Sequence, residues 1–491
     1  MRIVQVNWGW PPKQTGGPIG YVADLSKELV KLGHEISVFY AGDSDFRGRC
    51  YLNRKTQDGV KLFSFVNSPN NFLSLGIPLK ECQEPIIEAI FQELLAEVKP
   101  DLVHLHSLLG LCGSILEISK SLDILNVVSL HNYWFICPRV DLLKPPSYTL
   151  CSGPDKGWNC SVCAPKPSLW ELRKAEAKGR LKNLIKRRPA LKRSLQRTIL
   201  GLNKLRNSFS GFEENRADSP PSGRPNAHLA RDYLFREDYL RSLLSQKADL
   251  IVAVSNGVKE IFVNHGIPEK RVLVLHSGIK SVDRLQSFAR SQGGGLHNPL
   301  TFGFFGPVLP YKGVHVLVEA FNLLPLGSAR LVIYGTGDSD YVLNLMKRAG
   351  RNVEFRGTFR DLTDILPEFD VTVIPPIWHD NAPLVVLESL AAGKPIVGAE
   401  IGGIPDFVKD GINGFLFRPG DPFDLAEKMK KIIESPQLIH FFKKNIQPPK
   451  SMRQHAGEVS DIYQNLTASR NIRKKRKLVE LQADREYVGK H

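Results

Sequence analysis

Two acids, Asp380 and Glu388, stand with seven residues between them in the stretch VTVIPPIWHDNAPLVVLESLAAGKPIV, residues 371–397. The apolar β-branched run Val371–Ile374 reads as a buried parallel strand. Pro375 and Pro376 stop it, a polar loop runs from Trp378 to Ala382, and Pro383 opens a helix that Gly393 closes. This puts Asp380 in a loop at the carboxyl end of a strand, where open α/β sheets bind ligands. Glu388 falls just over one turn into the helix. The first amides of that helix, at Leu384, Val385 and Val386, are unpaired donors with a positive dipole end behind them. The pattern describes a phosphate site with a carboxylate on each side. The plainer alternative is a surface acid in a loop and an ordinary helical glutamate.

Other elements have to surround such a site. Lys312 lies in the turn Gly306-Pro-Val-Leu-Pro-Tyr-Lys-Gly, between a strand near 300–305 and a helix over 314–324, where an ammonium can neutralise a diphosphate. A strand over 331–334 ends on Gly335-Thr-Gly-Asp, and one over 353–357 ends on Gly357-Thr-Phe. Gly402-Gly-Ile-Pro-Asp, containing Gly403, marks a further loop–helix junction. Near the N-terminus, residues 2–6 read as a strand, and Ile19, Val22, Leu25, Leu29 and Leu32 form a helical stripe. Between them, Gly16 and Gly17 either let a phosphate or sugar approach the backbone or simply make a tight turn. Strands over 101–105 and 126–130 end at His106 and His131, a position that often holds a hydrogen-bonded pocket histidine. The repeated β–glycine loop–α–β unit predicts an α/β protein with two Rossmann-like domains. The expected division is 1–280, a linker 281–299, a second domain 300–435, helices 436–467 packing back, and a basic tail 468–491. No G-x-G-x-x-G follows the first strand, which argues against a dinucleotide oxidoreductase.

Bulk properties narrow the class. The chain has 491 residues, 42% hydrophobic and 24% charged, enough for two or three domains with real cores. No apolar run approaches a membrane span, and Met1-Arg-Ile-Val-Gln-Val enters a strand without the apolar segment of a signal peptide, so a cytoplasmic location is expected. Seven cysteines are too few and too uneven for a secreted disulfide framework. Four of them, Cys137, Cys151, Cys160 and Cys163, fall in a Pro/Gly-rich loop over 137–163 and close with a Cys-x-x-Cys. They suit a structural zinc, an iron–sulfur site or ordinary thiols. The net charge of +16 is concentrated in an insertion over 165–247, where residues 166–206 carry fourteen basic side chains against Glu171 and Glu176. Leucines and isoleucines interleave with them at roughly helical spacing. The segment reads either as an amphipathic surface for anionic lipid or as a solvated helical hairpin. No motif points to nucleic acid.

In order, Lys312-Gly, Gly335-x-Gly, the acid-x7-acid pair and Gly402-Gly-x-Pro resemble the second domain of the retaining glycosyltransferases of family 4, which have the GT-B architecture of two Rossmann-like domains facing a cleft. The resemblance also takes in residues 1–136, and members that read HxYWxICPR carry a similar cysteine-rich insertion. It implies that Glu388 holds the ribose hydroxyls of a nucleotide-sugar donor, and that Asp380 and His131 face the sugar. It also implies that Gly16 and Gly17 lie over the pyrophosphate with Gly306, Lys312, Gly335 and Gly403 near the donor, and that Gly357 lies by the base. Lys312 and helix N-termini would then stabilise the leaving diphosphate, so the reaction requires no catalytic metal. Three positions depart from the family: Asp380 replaces the usual Glu, Asn132 the usual Asp, and Pro307 the usual Arg. The expected activity is transfer of a sugar to a cell-envelope polysaccharide or a lipid-linked acceptor, by a protein that is peripheral at the inner face of the plasma membrane. A degenerate sugar-nucleotide-binding protein and a sugar-nucleotide epimerase of the same architecture are the alternatives.

Overall fold

The computed structural model describes all residues except 46–47, 72–76, 166–224, 292, 294 and 489–491, and gives only the backbone of 473–488. The basic segment 166–206 therefore lies outside the described residues.

The N-terminal strands are β1 Arg2–Asn7, β2 Glu35–Asp43, β3 Tyr51–Gln57, β4 Val60–Val66, β5 Leu102–Leu105 and β6 Leu125–Leu130. After a small ribbon, β7 Leu143–Lys144 with β8 Thr149–Leu150, come β9 Leu250–Ala253 and β10 Val272–Val274. They form an eight-stranded sheet in the order β10-β9-β6-β5-β1-β2-β4-β3, parallel throughout except for the β3–β4 hairpin at one edge. The parallel strands are short and apolar because both faces are covered. One face buries Phe39, Phe91, Val103 and Trp134. The other takes Val22, Leu25 and Leu29 from the helix Gly17–Lys31, whose apolar residues recur every three or four positions.

The C-terminal strands are β11 Leu300–Phe305, β12 Ala329–Tyr334, β13 Val353–Gly357, β14 Val371–Ile374, β15 Ile396–Ala399 and β16 Gly414–Phe417. Their order, β13-β12-β11-β14-β15-β16, is fully parallel and reverses direction of winding between β11 and β14. That is the doubly wound arrangement, and its binding crevice opens at this switch point.

Two expectations about the connections need correction. Residues 282–291 are not a loose linker: Val282–Ser291 is a helix whose Val282 and Leu285 pack with Leu387 and Ala391 in the second domain. The last helix, Met452–Val488, continues through 468–488, the stretch expected as a basic tail. It does return to the first domain, where Met452, Ala456, Val459 and Tyr463 complete the core beside the Gly17–Lys31 helix. The helix Gln437–Asn445 instead stays on the second domain through Ile439 and Phe442.

Candidate active site

The switch point brings the loop after β11 against the loop after β14. They touch backbone to backbone: Gly313 adopts φ 71°, and a Cβ there would stand 1.7 Å from the Pro375 carbonyl oxygen. The contact carries Lys312 to Asp380, Nζ to Oδ2 2.5 Å. Lys312 also lies over the Trp378 ring, 5.1 Å from its centroid, and Tyr311 meets the same ring edge-on at 5.2 Å. The neighbouring turns are stacked as closely. Gly306, at φ 139°, leaves its oxygen where a Cβ on Gly335 would meet it at 1.8 Å, and the Gly335 amide donates to the Gly357 oxygen at 2.7 Å. Gly306 also faces Val385, at the start of the next helix.

The first domain grips the Asp380 loop from the opposite side. Asn381 Nδ2 donates to the His131 carbonyl oxygen at 2.5 Å, Ser255 Oγ to the Asn381 oxygen at 2.6 Å, and Tyr133 Oη to the His379 oxygen at 3.2 Å. Thus Asp380 and His131, far apart in sequence, are joined through the single residue Asn381. Asn132 turns away from this contact and accepts from the Trp134 amide at 3.0 Å, shaping the loop after β6. Gly403 closes the pocket wall: its amide donates to the Asp380 oxygen at 2.8 Å, and a Cβ on Gly402 would lie 2.2 Å from that oxygen. Gly16, at φ 144°, precedes the Gly17–Lys31 helix, and a Cβ on Gly17 would meet nothing within 4 Å. That open approach is the conformation a loop needs if a ligand is to lie against it.

Family comparisons agree with this geometry. The model for glycosyl transferases group 1 matches residues 299–435, and the model for glycosyltransferase family 4 matches residues 15–152. Together they span more than half of the chain. The chain belongs to glycosyltransferase family 4. An uncharacterised glycosyltransferase of Methanocaldococcus jannaschii is 28% identical over 232 residues, 43% of this chain and 59% of that relative. D-inositol 3-phosphate glycosyltransferase of Mycolicibacterium vanbaalenii is 30% identical over 208 residues, 38% of this chain and 45% of that relative. The matches thus cover roughly half the length of these relatives. The crystal structure of Anabaena HepE in complex with UDP shares the fold, with TM-score 0.57 at 17% identity over 95% of this chain and 100% of that one. The two facing Rossmann-like domains are the GT-B fold.

In this family 4 chain the second acid sits as the spacing predicts, in the helix Leu384–Ala391. Pro383 is its N-cap residue, not part of its first turn. The Val386 amide is spent on the Pro383 oxygen at 3.0 Å, leaving Leu384 and Val385 as the amides without a backbone acceptor among the described residues. Glu388 meets no hydrogen-bond donor among the described residues, and burial pushes its carboxyl up to about 7 against the opposing field of Arg284. A partly buried, unpartnered carboxylate in a cleft is a group arranged for a ligand rather than for the fold. Asp406, by contrast, is structural. Burial alone would raise its carboxyl, but His276 Nε2 at 2.7 Å and the Asn256 amide at 2.8 Å hold it below the usual range. Both partners come from the first domain, so Asp406 clasps the two halves.

Cys137, Cys151 and Cys163 all lie near enough to Cys160 to act on its thiol. Among the described residues no group of three or more His, Cys, Asp or Glu side chains is gathered closely enough to hold a metal ion. Cys137 and Cys160 are buried in apolar surroundings, while Cys151 Sγ turns to the Gly153 oxygen at 3.3 Å and Cys163 Sγ to the Leu143 oxygen at 3.8 Å. Burial raises the Cys137, Cys160 and Cys163 thiols, and the neighbouring thiols add to the rise at each. Sequence reasoning missed Asn381, Tyr133 and Ser255 as cleft residues. Their role is to hydrogen-bond across domains, and no local pattern announces that.

Proposed function

We propose that the protein transfers a sugar from a nucleotide-sugar donor, with retention, to a hydroxyl of a cell-envelope polysaccharide or lipid-linked acceptor. The observation that carries this reading is the Glu388 carboxylate, without a hydrogen-bond donor among the described residues, one turn into the helix that follows the Lys312–Asp380 pair. A ribose presents two adjacent hydroxyls that such a carboxylate can accept. The diphosphate then lies against the Leu384 and Val385 amides and draws Lys312 from Asp380. Asp380, released, accepts from the sugar beside His131. As the sugar–phosphate bond breaks, negative charge grows on the diphosphate, and Lys312 stabilises it most at that point. The UDP held by Anabaena HepE supports a nucleotide donor in a cleft of this fold. A sugar-nucleotide-binding protein without transferase activity is the second reading, favoured by Pro307 at the family's Arg position.

Metal-free calorimetry with UDP-, GDP-, ADP- and CDP-sugars tests the donor site. One base is expected to bind in the micromolar range, and Glu388→Ala to weaken it. Only the ionised form offers both oxygens as charged acceptors to a pair of hydroxyls, and the carboxyl loses that charge as pH falls through about 7. Donor affinity should therefore drop about tenfold from pH 8 to pH 6, and Glu388→Gln should flatten that slope. A panel with no binding at any pH would remove the reading. Binding without transfer or hydrolysis would favour the second one.

The basic segment 166–206 is read as docking on anionic membrane, which would bring a lipid-linked acceptor to the cleft. Flotation with phosphatidylglycerol liposomes should be lost on its deletion, and flotation that survives the deletion would refute the docking.

A further inference from the structure

His131 is held by a second histidine. His106, at the end of β5, places Nδ1 3.1 Å from His131 Nε2. Tyr21, one turn into the helix Gly17–Lys31, packs on both rings, with centroids 4.6 Å from His131 and 5.7 Å from His106. His104 lies over His106 at 3.9 Å. The final helix pins both flanks: His455 Nε2 lies 2.7 Å from Tyr21 Oη, and Tyr463 Oη lies 2.5 Å from His104 Nδ1. Ser129 Oγ holds the other nitrogen of His104 at 2.8 Å. The pair is therefore locked in orientation by groups from four different elements.

The remaining nitrogens settle where the protons sit. His106 is 3% exposed, and its Nε2 meets no hydrogen-bond partner among the described residues. A buried N–H without an acceptor is rarer than a buried lone pair left unused, so Nε2 is the unprotonated nitrogen. A neutral imidazole carries one proton, which in His106 is then on Nδ1 and is donated to His131 Nε2. His131, having accepted at Nε2, carries its own proton on Nδ1, the nitrogen with no hydrogen-bond partner among the described residues. Burial keeps both rings neutral at pH 7.

We propose that His106 is a positioning residue that fixes His131 as an Nδ1–H hydrogen-bond donor, directed at a hydroxyl oxygen of the transferred sugar. The last clause rests on the nucleotide-sugar reading; the tautomer does not. It follows that His131 orients the sugar and does not take the proton of the acceptor hydroxyl.

The full-length chain labelled with ¹⁵N-histidine tests this by long-range ¹H–¹⁵N correlation at pH 7. The His131 ring is identified among thirteen histidines by its loss in His131→Asn. The expected pattern is a protonated Nδ1 and an unprotonated Nε2. The reverse pattern, or a cation, overturns the proposal whether or not the protein transfers sugar. In the transfer assay, His106→Leu should lower kcat about 10- to 100-fold with donor KM little changed. His106→Asn, whose amide can still donate from near the Nδ1 position, should recover most of the loss. In a His131→Ala background His106→Leu should cost nothing further. An Asn variant no better than Leu, or losses that multiply, would show that His106 does not act through His131.

Discussion

Lys312→Ala is expected to reduce sugar transfer about 10²- to 10³-fold, the scale seen when one preorganised stabiliser of a developing charge is removed. The Lys312 ammonium lies between the β11 loop, the Asp380 carboxylate and the Trp378 ring. Pro307 cannot substitute for it, since proline offers neither charge nor an N–H. The variant should also bind the free nucleoside diphosphate more weakly than the wild type does, while affinity for the matching monophosphate changes less. The two affinities are read by calorimetry and the rate by product formation at saturating donor. A variant that transfers at the wild-type rate would place the leaving-group charge elsewhere in the cleft.

The largest effect on stability should come from a pair outside the cleft. Arg236 Nε lies 2.5 Å from Glu81 Oε2, and both side chains are 1% exposed. The same guanidinium donates from Nη2 to the Trp134 oxygen at 2.6 Å and lies over the Trp134 ring at 5.0 Å. Arg236→Ala takes the countercharge from a buried carboxylate and should destabilise the fold by about 3–5 kcal/mol in denaturant unfolding. The double change Arg236→Met with Glu81→Leu should recover most of that, because both charges of the pair then leave the core together. A single variant as stable as the wild type would mean that the carboxylate is neutralised by another route. Because Trp134 belongs to the loop that follows His131, the single variant is expected to slow transfer at temperatures where it remains folded.

Much of the site was readable in the residues because its parts are local. The acid pair needs only a strand, a loop and a helix start, and each has its own spacing or stop signal. The glycine turns at Gly306, Gly335 and Gly402 need positive φ or close backbone approach, which glycine alone supplies cheaply. The 282–291 helix could also have been found from Val282, Leu285 and Phe288 at helical spacing. The Gly293-Gly-Gly run beside it outweighed that signal.

The sequence by itself determined the two mainly parallel sheets, the glycine turns at their carboxyl ends and the placement of Lys312 in a glycine-bounded turn, Asp380 in the loop after a strand and Glu388 in the helix that follows, since each depends on periodicity and backbone preference within a short window. Only the tertiary structure decided that Lys312 pairs with Asp380 across 68 residues, that Asn381 joins Asp380 to His131, and that a helix from the C-terminus braces the His106–His131 pair. These are contacts between groups whose separation in the chain carries no pattern, and their geometry is fixed by how two sheets and one long helix pack together.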